Sequence, residues 1–253
     1  MKNSHLIRTS ALVSIALVWA LAVGQSSAAE EQKPEQPKPT ADAQTEKVRT
    51  LGILIFPGFE LLDAYGPLEM WGNLKGKIKV VTVAREKGEV TSSQGPKTVA
   101  EFGFKDCPSL DLILIPGGFG ALDVLKDTQT LDWLRERSAK AEITMSVCNG
   151  ASVLAAAGLL DGRPATTNKA FWSRATTPWP NVKWVKRARW VDDGSIVTSS
   201  GVSAGMDMTL HVVERLFGKP AAEGLANGTE YEWHRDPSWD PYAELHGLVQ
   251  GPK

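Results

Sequence analysis

Apolar positions in this chain come in short continuous runs rather than in alternation. Leu51–Phe56, Lys77–Ala84, Leu110–Ile115 and Ile143–Val147 are each long enough for one strand, and most are rich in β-branched residues. Runs without a polar face suit strands buried on both sides. Between them lie helical patterns. Glu60–Trp71 reads as a helix interrupted at Gly66-Pro67. Leu131–Ala141 sets Leu131, Leu134 and Ala141 against Arg135, Glu136 and Lys140, an amphipathic helix. Ala151–Ala157 is made of strong helix formers and stops at Gly158. Ser203–Phe217 reads as a long helix capped by Ser203 or Asp207. Turn residues around Gly95-Pro96 place a small hairpin in Val90–Phe104. Asp192-Asp193-Gly194 signals another, with Trp184–Trp190 and Ser195–Ser199 as its arms. Ala165–Thr167 reads as a short strand before a helix starting near Lys169. Strands alternating with helices predict a three-layer α/β sandwich around a mainly parallel, flavodoxin-like sheet. Ligands of such sheets bind beyond the carboxyl ends of the strands. That rim gathers Pro57–Asp63, Gly117–Gly120 and Cys148-Asn149.

The runs stop short of the amino terminus. Residues 1–29 carry Lys2 and Arg8, an apolar stretch from Ala11 to Val23 and the small residues Ser27-Ala28-Ala29, the pattern of a cleaved secretory signal. The apolar stretch is short for a membrane span. Residues 30–47, rich in Pro, Glu, Lys and Gln without apolar periodicity, read as a disordered linker. Residues 48–253 then form one α/β domain with an aromatic tail, and the protein is expected in the periplasm or secreted. The whole chain holds 28 basic and 29 acidic residues. Loss of the leader leaves a net charge of roughly −3, which points to neither nucleic acid nor anionic membrane as partner.

Two cysteines in an exported chain raise the possibility of a disulfide. Cys107 precedes one buried run and Cys148 follows another. In neighbouring parallel strands they lie about 16 Å apart, beyond the roughly 7 Å Cα limit for a bridge. Cys107 is expected in the core and Cys148 free.

Cys148 is the centre of the candidate chemistry. A strand passes into a helix through Cys148-Asn149-Gly150 with no room for a loop, the geometry that projects a nucleophile above a sheet. Helix N-terminal amides favour an anion there, so the thiol is expected to ionise below the free value. The competing reading is a buried structural cysteine. Gly117 and Gly118 bring backbone amides near a bound oxygen, or simply make a tight turn. Their spacing matches neither a phosphate loop nor a dinucleotide fingerprint. Asp63 is placed either to exchange protons or to partner a helix dipole. No metal or cofactor is expected.

Three ordered motifs go further: Phe56-Pro57-Gly58-Phe59-Glu60-Leu61-Leu62-Asp63-Ala64-Tyr65-Gly66-Pro67-Leu68-Glu69, Ile115-Pro116-Gly117-Gly118 and Ser146-Val147-Cys148-Asn149-Gly150-Ala151. Together they resemble the ThiJ/PfpI family of the class I glutamine-amidotransferase-like, Parkinsonism-associated deglycase superfamily, over about residues 48–217. Leu-Asp-x-x-Gly-Pro with a cysteine elbow looks most like the isocyanide hydratase branch. The resemblance implies Cys148 as nucleophile, Asp63 as its acid, and the amides of Gly118 and Asn149 facing developing charge. One departure stands out. Relatives often read Ala-Thr-Thr-His after the elbow helix, whereas this chain reads Ala165-Thr166-Thr167-Asn168, and asparagine takes no proton at neutral pH. Asn149 likewise replaces a histidine or threonine. Asn168 and His234 are the remaining pocket candidates, while His211 falls mid-helix in apolar company.

The expected activity is cysteine-dependent hydration of a small electrophile. The alternatives are a nonenzymatic redox or ligand sensor and, weakened by Asn168, an amidase or peptidase. A homodimer is expected through Leu61–Trp71, where Leu62, Tyr65, Leu68 and Trp71 form a large apolar set.

Overall fold

The computed structural model describes residues 47–250, so the proposed leader and all of the linker except Lys47 lie outside the described residues. Among the described residues ten strands and eight helices follow one another: β1 (Arg49–Leu54), α1 (Leu61–Gly72), β2 (Ile78–Val83), β3 (Gly88–Thr91), β4 (Lys97–Ala100), β5 (Leu112–Ile115), α2 (Ala121–Val124), α3 (Thr128–Ser138), β6 (Ile143–Ser146), α4 (Gly150–Ala156), β7 (Pro164–Ala165), α5 (Trp172–Thr176), β8 (Lys183–Trp184), β9 (Trp190–Asp192), β10 (Ile196–Ser199), α6 (Ala204–Phe217), α7 (Lys219–Gly228) and α8 (Tyr242–Leu245).

The main sheet has the order β2-β1-β5-β6-β10-β9. All neighbours are parallel except β9 on β10, where Val197 pairs with Asp192. β5 and β6 are buried at every position, as their continuous apolar runs require. Helices α1, α6 and α7 pack together on one side, and α2 to α5 gather around α4 on the other. This is the expected three-layer sandwich. Leu112 beside Ile143 and Ile115 beside Ser146 fix the register of β5 on β6. Cys107 and Cys148 therefore sit at opposite ends of the sheet, and both are free and buried.

Several expectations change. The first helix is not interrupted: α1 runs through Pro67. Proline removes one hydrogen bond to the carbonyl of Asp63, but close packing holds the helix. A Cβ on Gly66 would come within 2.9 Å of Met206, and one on Gly205 within 3.4 Å of Pro67. Trp71 is fully buried, so the apolar set on α1 is split between core and surface, with Leu62 and Tyr65 exposed. Neither Ser203 nor Asp207 caps α6, because both side chains are bonded to Arg189. The second hairpin is shorter than expected, since Lys183–Trp184 pairs with β7 instead.

Candidate active site

β6 delivers Val147 into the core, where its amide bonds to Ile115 O at 3.0 Å. The next residue turns sharply. Cys148 has φ +58°, left-handed backbone that costs a non-glycine residue about 1 kcal/mol and persists only where neighbours enforce it. The enforcement is visible on both sides of the residue. Its amide donates to Ser200 O at 3.0 Å, and its carbonyl accepts from Thr167 Oγ1 at 2.9 Å. Gly150 is needed immediately afterwards, because a Cβ there would lie 2.5 Å from Ile115 O. The elbow expected from the sequence is present, pressed against the end of β5.

Asp63 reaches the same point from the first turn of α1 and is wholly buried. Its Oδ2 accepts from Gly117 N at 2.8 Å, while Oδ1 has no hydrogen bond of ordinary geometry. Burial raises the Asp63 carboxyl to about 8, and the nearby Glu60 charge pushes the same way. The Gly117 amide and the Cys148 thiol oppose this less strongly. At neutral pH the carboxyl therefore holds its proton.

The thiol differs from expectation. Burial, and next the charge Asp63 acquires at high pH, push the Cys148 thiol above its ordinary value. The amides of Asn149 and Val202 and the side chain of Asn168 favour the thiolate, but they do not outweigh burial. The resting sulfur is a neutral thiol surrounded by donors.

The glycines also depart from the sequence reading. The amide of Gly117 is taken by Asp63, and that of Gly118 donates to Asn149 Oδ1 at 2.8 Å. Asn149 Nδ2 returns a bond to Gly118 O at 3.0 Å. These amides therefore build the loop instead of facing an open site. Gly118 has φ +119°, and a Cβ on it would strike Gly58 O at 2.4 Å, so this turn demands glycine.

A cavity of about 130 Å³ opens over the thiol. Its walls include Leu122, Leu125, Phe119 and Phe171, with Asn168 and Val202 beside the sulfur and Glu60 and the exposed Arg174 also lining it. Phe119 and Phe171 meet edge to face at 5.9 Å. Asn168, the residue expected to be a histidine from the resemblance, faces the sulfur. His234 does not line this cavity. It stacks on Trp239 at 3.9 Å, and its amide donates to Asp207. Among the described residues no group of His, Cys, Asp and Glu is placed to hold a metal ion.

Sequence reasoning missed Val202, whose amide faces the sulfur from a backbone with φ +33°. It also missed two buried ion pairs below the site, Lys169–Asp240 at 3.1 Å and Arg189–Asp207 at 2.7 Å. Nothing in the local sequence marks either pair.

A flavodoxin-like sheet bearing a cysteine elbow, with a buried carboxyl at its flank, defines a thiol-bearing α/β domain of the glutamine-amidotransferase-like class. Residues 49–215 match the DJ-1/PfpI family, and the chain belongs to it. It is 38% identical over 181 residues to isonitrile hydratase of Pseudomonas putida, covering 72% of this chain and 78% of that protein. It is 26% identical to the HTH-type transcriptional regulator GbdR of Pseudomonas aeruginosa, covering 77% of this chain and 54% of the regulator. Among solved structures, a ThiJ/PfpI family protein from Pseudomonas syringae superposes with a TM-score of 0.68 at 32% identity, over 83% of this chain and 86% of the other. DJ-1beta of Drosophila melanogaster shares the fold, with a TM-score of 0.65 at 20% identity over 74% of this chain and all of the other.

Proposed function

We propose that the protein hydrates a small isocyanide to the corresponding formamide, with Cys148 as nucleophile and Asp63 as proton carrier. The observation that carries this reading is geometric: a left-handed elbow sets the Cys148 sulfur at the base of a cavity with apolar walls, with the wholly buried Asp63 carboxyl behind it. An isocyanide has a terminal carbon that accepts a nucleophile and then a proton. The Cys148 sulfur forms a bond to that carbon, and the thiol proton ends on the same carbon by way of Asp63. The product is a thioimidate, S–CH=N–R. Water adds to the thioimidate carbon, one of its protons going to nitrogen. Collapse breaks the C–S bond, gives H–CO–NH–R and returns the second water proton to sulfur. No oxidant or reductant is consumed.

The donors from Asn149, Val202 and Asn168 stabilise sulfur as it becomes anionic, without demanding a free thiolate at rest. The apolar walls exclude bulk water and favour an uncharged substrate. Likeness to isonitrile hydratase supports the same reading. The decisive experiment incubates the protein with a small alkyl isocyanide and measures formamide, with Cys148→Ala as control. Formamide from the wild type alone supports hydration. No formamide above the variant's background overturns it.

A second reading is favoured by the likeness to GbdR: a cavity that binds a ligand without converting it. Saturable binding of the isocyanide with no product distinguishes it. The proposed site of action is outside the cytoplasm, on the strength of residues 1–29, and fractionation of cells expressing the full chain tests this. The proposed assembly is a homodimer through the exposed Leu62 and Tyr65 of α1.

A further inference from the structure

The side chain beside the sulfur is held from behind by charge. Asn168 Oδ1 accepts from Phe171 N at 3.1 Å, which turns Nδ2 away from that amide. Nδ2 lies against Gly201, close enough that a Cβ there would come within 2.4 Å. Asn168 can address the thiol only while its own loop and the loop at Gly201 keep their spacing.

The next residue, Lys169, turns inward. Its ammonium donates to Thr166 Oγ1 at 2.6 Å, Thr167 O at 3.0 Å and Ala188 O at 3.1 Å. Its counter-ion is Asp240 at 3.1 Å, and the two side chains are 1% and 0% exposed. Asp240 also accepts from Ser200 Oγ at 3.5 Å, and Ser200 O is the acceptor for the Cys148 amide. One buried pair therefore ties the Asn168 loop to the loop that ends β10. Asp240 lies beyond residues 49–215, which carry the family match.

We propose that the Lys169–Asp240 ion pair is a positioning device for the Cys148 site, fixing the Asn168 amide against the sulfur. Asp240 then acts on the active site although it does not line the cavity. A buried ion pair is weak as a source of stability, since well-packed apolar residues often replace one at no cost. Its use here is geometric. Burial lowers the Lys169 ammonium to about 8 even with Asp240 beside it, and Arg189 pushes it the same way. Without the carboxylate, little would keep the ammonium charged and bonded to Thr167 O.

The inference rests on Cys148 being the reacting thiol of the proposed function, but its test does not require turnover. In a Cys107→Ala background, alkylation of Cys148 by iodoacetamide is followed against pH in five proteins: the parent, Asn168→Ala, Lys169→Met/Asp240→Leu, the combination of these two, and Asp240→Asn. The paired substitution removes both charges together, so it is expected to melt within a few degrees of the parent. Its alkylation profile is expected to move up by about one pH unit, some tenfold slower at pH 8. Asn168→Ala is expected to give the same shift, and the combination no further shift, because both act on one donor. A parental profile in the paired variant overturns the proposal. So do shifts that add in the combination, which would mean the pair acts elsewhere. Asp240→Asn with intact melting and a parental profile is a third overturning result. Loss of isocyanide turnover in the wild type would remove the hydratase reading and leave the alkylation result standing.

Discussion

Asp63 pays for its proton with stability. Its folded value of about 8 lies above the ordinary 3.8, so the native state holds a proton that the unfolded chain has released. A raised carboxyl value makes stability fall as pH rises through the interval from about 4 to about 8. Asp63→Asn removes that slope. The variant is expected to be more stable than the wild type at pH 8.5, by up to about 5 kcal/mol if ionisation is complete, and to lose the advantage by about pH 4. Melting curves at the two values check this. The same substitution is expected to lower turnover by about a hundredfold or more, since the proton carrier is gone. It is also expected to let Cys148 ionise at lower pH, because the Asp63 charge that opposes the thiolate never forms. A thiol profile unchanged by Asp63→Asn would show that the two groups do not communicate.

At the scale of elements, contact between the elbow and β5 leaves no room for a side chain. Gly150→Ala would put a methyl group 2.5 Å from Ile115 O and 2.8 Å from Pro116 O, both main-chain atoms. It is expected to destabilise by about 2 kcal/mol or more, as overpacking against backbone does. Gly224→Ala in α7 meets nothing within 4 Å and is expected to stabilise by up to about 1 kcal/mol. Thermal melts of the two variants compare them directly. The strands and the elbow were legible because buried parallel strands must be apolar throughout, and a strand cannot turn into a helix through three residues in many ways. The unbroken α1 was not legible, since what holds it through Pro67 is packing against α6, where Gly66 lies against Met206. Lys169 and Asp240 are separated by 71 positions and neither sits in a motif, so no local pattern joins them. The thiol's protonation was misread for a related reason. Amide donors follow from the local turn, whereas depth follows from packing by Val202, Asn168 and the cavity wall.

The association proposed for the whole molecule depends on which face of α1 is free. Trp71 has no exposed surface, so Trp71→Glu is expected to unfold the protein instead of separating copies. Leu62 at 42% and Tyr65 at 41% exposure are the positions where a partner would sit. Leu62→Glu is expected to leave the melting temperature near the wild-type value and convert a dimer to a monomer at tens of micromolar. Sedimentation of both proteins checks it, and a wild-type monomer defeats the dimer.

The distance along the chain between Lys169 and Asp240 also has a bearing on synthesis. A ribosome completes every strand of the main sheet by Ser199, and the elbow is covered soon after, when α6 is made. A chain folded to that point would carry a buried ammonium with no carboxylate to meet it. On the proposal above, the pocket would acquire its final shape only once Asp240 has emerged. A ribosome stalled before residue 240 would therefore hold a folded sheet around an unfinished reagent, and the order of translation itself would keep the thiol from early use.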